Sequence, residues 1–181
     1  MKLEKLLSEE SPAILKRWLQ LILETYPPDT HRFLKKQKDR FANPVRYTIS
    51  KEIENIYKAF FQEIDTEKIS SFLDNIVKIR AVQDFSPSQA ISFIFLLKRV
   101  IRERLGKRIR QNHLSEELLI FESKIDEMAL LAFDIYMKRR EKLYELRANE
   151  AKNQVSRLLE RAGLINEIPK WDPTPKEGNI I

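Results

Sequence analysis

The stretch Ser86-Pro87-Ser88-Gln89-Ala90-Ile91-Ser92-Phe93-Ile94-Phe95-Leu96-Leu97-Lys98-Arg99-Val100-Ile101 decides the fold. A serine followed by proline starts a helix: the hydroxyl accepts a backbone N–H, and proline at the first helical position gives up a donor that has no intrahelical partner. Gln89, three residues after the serine, can bond back to the Ser86 N–H and complete a capping box. From Ala90 onward the segment is apolar nearly all round, so this helix is expected at the centre of a bundle, running to about Leu105 and ending at Gly106.

Outward from it the same punctuation recurs at Ser11-Pro12 and Asn43-Pro44. A helix from Pro12 to about Tyr26 places Ile14, Leu15, Trp18, Leu19, Ile22 and Leu23 on one stripe, and Pro27-Pro28 stop it. A second starts at Pro44 or Ser50 and carries Ile49, Ile53, Ile56, Tyr57, Phe60, Phe61 and Ile64. A third begins after Asp65 or Thr66, with Ile69, Phe72, Leu73, Ile76, Val77 and Ile79, and ends near Phe85 because the residue before a proline avoids helical backbone. From a Ser115 cap, no glycine or proline occurs until Gly163, a span of 48 residues. At 1.5 Å per residue that is about 72 Å of helix, longer than a domain of this size is thick. Its first half is apolar and packs; Lys138 to Asn153 is mostly charged. No segment alternates with period two, so the class is all-α. The expected organisation is a helical sensor-like bundle over 1–137, a projecting helix over 138–163 that pairs with a second copy as a coiled coil, and an extended or disordered tail over 164–181.

Composition narrows the function. Only three glycines occur, and Gly106 is the only one before residue 163, so no phosphate-cradling loop or dinucleotide fingerprint can form. The absence of cysteine removes thiol nucleophiles, disulfides and thiolate metal sites. His31 and His113 fall in connectors, whereas a haem ligand must project inward from a packed helix; no metal and no cofactor is expected. No carboxylate pair or nucleophile is nominated, so no catalytic residue and no enzymatic activity is expected. The amino terminus is too short and too charged for a secretory signal and no apolar run approaches about 20 residues, which points to a cytoplasmic protein.

The formal charge of +6 is local. Between Lys98 and His113 seven Lys or Arg accompany one acid, and the rest of the chain balances. Lys98, Arg99, Arg102, Arg108 and Arg110 are therefore the candidates for binding nucleic acid or acidic lipid. They form no clean helical stripe, and the plainer reading is a cluster of cations at a helix C-terminus near Gly106, continuing into a solvated connector.

The corner Ile79-Arg80-Ala81-Val82-Gln83-Asp84-Phe85-Ser86-Pro87-Ser88-Gln89-Ala90 stands out from ordinary helix. Arg80 and Asp84 are spaced to pair on a helix surface, and Gln83, Ser86 and Gln89 add polar groups beside the most apolar helix. These five residues are the candidates for a ligand site or packing switch; the structural reading, a well-capped turn with a surface salt bridge, is the simpler one. With Asn43-Pro44, Thr48-Ile49-Ser50 and Leu96-Leu97-Lys98, this corner resembles the amino-terminal domain of RsbRD-type RsbT co-antagonist proteins over about residues 10 to 160. The resemblance implies an all-helical sensory input module acting through protein partners, globin-like without haem, placed in relatives before an anti-anti-sigma (STAS) output domain. It also implies short stand-alone relatives in sulfate-reducing bacteria, encoded near membrane redox complexes, and so an alternative role as accessory to such a complex. Only 18 residues come after Gly163, too few for an output domain.

Overall fold

Ser86 does cap its helix. Its hydroxyl accepts the Gln89 N–H at 3.4 Å, and the Gln89 side-chain oxygen accepts the Ser86 N–H at 3.0 Å. The computed structural model describes residues 2–36, 41–62, 65–83 and 85–163. Among these the order is α1 Leu3–Glu9, α2 Ser11–Glu24, α3 Pro28–Lys36, α4 Pro44–Ala59, α5 Thr66–Val82, α6 Pro87–Gln111 and α7 Ser115–Arg161, with no strand. None of these helices is long and apolar enough to cross a membrane. The chain divides into two units, Met1–Arg140 and Glu141–Ile181, and the unbroken α7 contributes to both.

In the first unit α6 buries Phe93, Ile94, Leu97, Val100, Ile101 and Leu105 but exposes Phe95 on its other side, so it is not buried all round as its composition suggests, and α2, packed on α1, α3, α4 and α6, is the helix with the most neighbours. Where α2 lies against α6, the fully buried Trp18 donates its indole N–H to the Phe93 carbonyl at 2.6 Å. Helix α4 packs on α2 and α5, with Asn43 capping it by accepting the Arg46 N–H at 3.0 Å. From α7, Phe121, Ile125, Met128, Ala132 and Tyr136 are buried, and the Phe121 ring lies 5.0 Å from that of Phe60.

Several boundaries differ from expectation. Helix α4 ends at Ala59, before Phe60 and Phe61, and α5 ends at Val82, short of Phe85. Ser11 is already helical and gives no cap; Glu10 flanks α2 instead, because the preceding seven residues form α1, which buries Leu3, Leu6 and Leu7. So short a helix has no stability of its own and exists through packing: the Tyr57 hydroxyl donates to the Leu7 carbonyl at 2.9 Å, and the Leu3 N–H to Glu117 at 2.8 Å. Pro27-Pro28 do not only terminate α2, which ends at Glu24; Pro28 is the first residue of α3, where its fixed φ suits helix initiation. His31 therefore sits in α3 and not in a connector.

Helix α6 does not stop at Gly106 but continues to Gln111. A mid-helix glycine costs only about 1 kcal/mol, less than the burial of Leu105 and Ile109 on either side returns. The stop is a Schellman motif. His113 takes the left-handed conformation at φ 56°, the Leu114 N–H reaches back to the Ile109 carbonyl at 3.0 Å, and Leu114 and Ile109 are both buried. Helix α7 starts at Ser115 itself, one residue earlier than a Ser115 cap implies.

Candidate functional site

Arg80 is the residue whose position departs furthest from its sequence reading. It is 0% exposed, although its spacing from Asp84 suggests a surface ion pair. Helical periodicity explains the burial: Arg80 lies seven, four and three residues after Leu73, Ile76 and Val77, all of them in the core, so it inherits their face of α5. Its guanidinium carbon lies 4.5 Å from the centre of the Phe85 ring, 5.4 Å from Tyr26 and 5.7 Å from Phe93. Contacts of this kind stabilise a desolvated cation by about 2 kcal/mol.

The polar side of the site is incomplete. Arg80 Nη2 donates to the Thr25 hydroxyl, whose own proton goes to the Ile22 carbonyl at 2.6 Å, leaving a lone pair for the arginine. Arg80 Nε and Nη1 and the Tyr26 hydroxyl are buried with no hydrogen-bond partner among the described residues. Three of the five guanidinium N–H bonds are on those two nitrogens. Burial holds Arg80 below the usual arginine range, with Tyr26 opposing, and pushes Tyr26 upward, with the Arg80 charge opposing. A desolvated cation with no described counter-charge is costly to maintain, several kcal/mol before compensation.

The other corner candidates do not converge on this point. Asp84 lies outside the described residues. Gln83 is exposed at the end of α5. Ser86 and Gln89 are engaged with each other in the capping box, and Gln89 is exposed. Two groups that sequence reasoning does not nominate come from α7: the buried Tyr136 donates its hydroxyl proton to the Phe85 carbonyl at 2.6 Å, and Arg140 Nη1 donates to the Ala81 carbonyl at 3.3 Å. The backbone on both sides of the turn above Arg80 is thus held by side chains of the long helix. Tyr136 lies four residues past the buried Ala132, the spacing that could have revealed it; nothing in the sequence marks Thr25 or Tyr26 as partners of Arg80.

The basic run is largely neutralised within the fold. Lys98 bonds Asp126 on α7 at 2.6 Å, and Arg102 grips Glu122 with two bonds at 2.7 and 2.6 Å. On the other flank Arg108 meets Glu10 at 3.0 Å and Arg104 lies 3.6 Å from it, at the junction of α1 and α2. Arg99 pairs along its own helix with Glu103 at 2.7 Å. The cations address acids on α7, at the α1–α2 junction and on α6 itself, so they make no single stripe. Arg110 is exposed and forms no ion pair among the described residues. These charges are on α6, not in a connector.

His113 is exposed in the α6–α7 connector, and among the described residues no group of three His, Cys, Asp or Glu is placed to hold a metal ion. In the second unit Ala148, Ala151, Val155 and Leu158 of α7 recur at alternating spacings of three and four; Val155 is 54% and Leu158 63% exposed. Alternating spacings of three and four are those of a heptad pattern.

The family described as RsbT co-antagonist protein rsbRD N-terminal domain matches residues 12–151. No curated protein and no solved structure gives a significant match.

Proposed function

Because this chain belongs to the RsbT co-antagonist protein rsbRD N-terminal domain family, we propose that it is a regulatory input module that performs no reaction and acts through protein contacts. The input is the Arg80 corner and the output is α7. The observation that carries this reading is the pair of bonds from Tyr136 and Arg140 to the Phe85 and Ala81 carbonyls. Any change at the turn covering Arg80 must be accommodated by a helix that runs on without a break to Arg161. A signal of this kind requires two arrangements of one element and a ligand or partner that binds them unequally.

The partner of α7 in this proposal is a second copy of the chain, seated on the seam of Ala148, Ala151, Val155 and Leu158. An exposed helix with so thin an apolar edge gains stability mainly by covering that edge. Sedimentation equilibrium of the full chain tests it. The native protein is expected to dimerise, and Val155→Glu with Leu158→Glu to remain monomeric with unchanged helicity; equal association of both proteins would remove the seam from the account. The alternative of polyanion binding has less support, since four of its five candidate cations are already paired with acids of the same chain.

A further inference from the structure

We propose that the Arg80 corner is a binding site for a small organic monocarboxylate. Three buried polar atoms of neighbouring residues lack partners among the described residues: Arg80 Nε and Nη1, which lie on different edges of the guanidinium, and the hydroxyl of Tyr26, whose ring centre is 5.4 Å from the guanidinium carbon. A guanidinium offers two edges at which parallel N–H bonds can grip a carboxylate, and Thr25 takes a bond from only one nitrogen, Nη2. One whole edge remains, and the Tyr26 hydroxyl can add a third donor.

The surroundings select the ligand's charge and body. Arg80 is the one fully buried cation there among the described residues, Arg140 being only partly buried on the far side of the Ala81 carbonyl, so the buried part of the site neutralises one negative charge; a phosphate dianion would bury its second charge unpaired. Around the guanidinium stand the rings of Phe85, Tyr26 and Phe93, which suit a carbon skeleton better than a hydrated inorganic ion. The Phe85 ring lies over the guanidinium and is only half buried, next to the exposed Val82 and Gln83, so displacing it opens the way in. Its carbonyl is the group that Tyr136 holds, and ligand access therefore pulls on α7. This names the ligand class of the input site proposed above and rests on that reading only for its consequence, not for binding.

The test uses the full chain, with sodium acetate and sodium benzoate as probes and sodium chloride at equal ionic strength as the control. The melting temperature should climb with the logarithm of carboxylate concentration and not with chloride. Arg80→Met, which keeps the length of the side chain, should lose that response, and Tyr26→Phe should weaken apparent affinity by about tenfold. No carboxylate response, or the same response in native and Arg80→Met proteins, overturns the proposal. So does a response that emerges only in Asp84→Asn, since the chain's own carboxylate would then be the occupant. Self-association of the native chain is measured separately, so failure here is distinguishable from failure of the seam.

Discussion

At the scale of single residues, Arg80 sets the terms. A charged side chain on the core face of α5 is held by three aromatic rings and one hydroxyl, and no described acid offsets it. Replacing such a group by an apolar one of similar length is often neutral or stabilising, whereas truncation leaves a cavity. Arg80→Met should therefore unfold at a urea midpoint no lower than native, and Arg80→Ala should be less stable than Arg80→Met by about 2–5 kcal/mol. Two tyrosines give a pH prediction. Burial raises Tyr57 and Tyr26 above the ordinary value of 10.0, so the unfolded chain releases protons that the folded chain keeps. Stability from this source is full below about pH 10 and falls as pH rises beyond it. Tyr57→Phe should cost about 1 kcal/mol at neutral pH through the lost bond to Leu7, and should flatten the alkaline decline in urea midpoint. An equally steep decline would show that Tyr57 is not responsible.

At the scale of elements, most of what the chain declares lies in its caps and stripes. Asn43 and Ser86 act as their sequence implies, and the core positions of α2, α4, α5 and α6 keep to the helical period. The features that the sequence does not disclose have physical causes. Helices α1 and α3 are seven and nine residues long, too short to announce themselves by periodicity, and exist because the bundle buries their Leu side chains. Glycine favours helix ends and so points to Gly106 as the end of α6, yet the left-handed position falls to His113. For Arg80, charge argues for solvent, while its spacing from Leu73, Ile76 and Val77 argues for the core, and the spacing prevails. The α6 terminus yields a paired prediction. A Cβ on Gly106 would meet Arg110 Nη1 at 3.7 Å, an ordinary contact, so Gly106→Ala should stabilise by about 0.5–1 kcal/mol. His113→Gly should stabilise as well, by relieving the left-handed backbone. A loss of stability in either variant, read from denaturant midpoints, contradicts the assignment of where α6 ends.

At the scale of the whole molecule, a corner of buried donors unpaired among the described residues is joined to a helix of 47 residues through the Tyr136 and Arg140 bonds. Coupling between sites is a free energy, commonly equivalent to a change of fivefold or more in affinity, and it is visible at one end when the other is altered. Tyr136 is nineteen residues from Val155, so it does not touch the proposed seam of its own helix. The most direct measurement is the dimer dissociation constant of the full-length Tyr136→Phe protein beside the native one, by sedimentation equilibrium, with circular dichroism confirming equal helicity. The predicted result is a shift of about fivefold or more on loss of the hydroxyl that holds the Phe85 carbonyl. Identical constants in two equally folded proteins would contradict it.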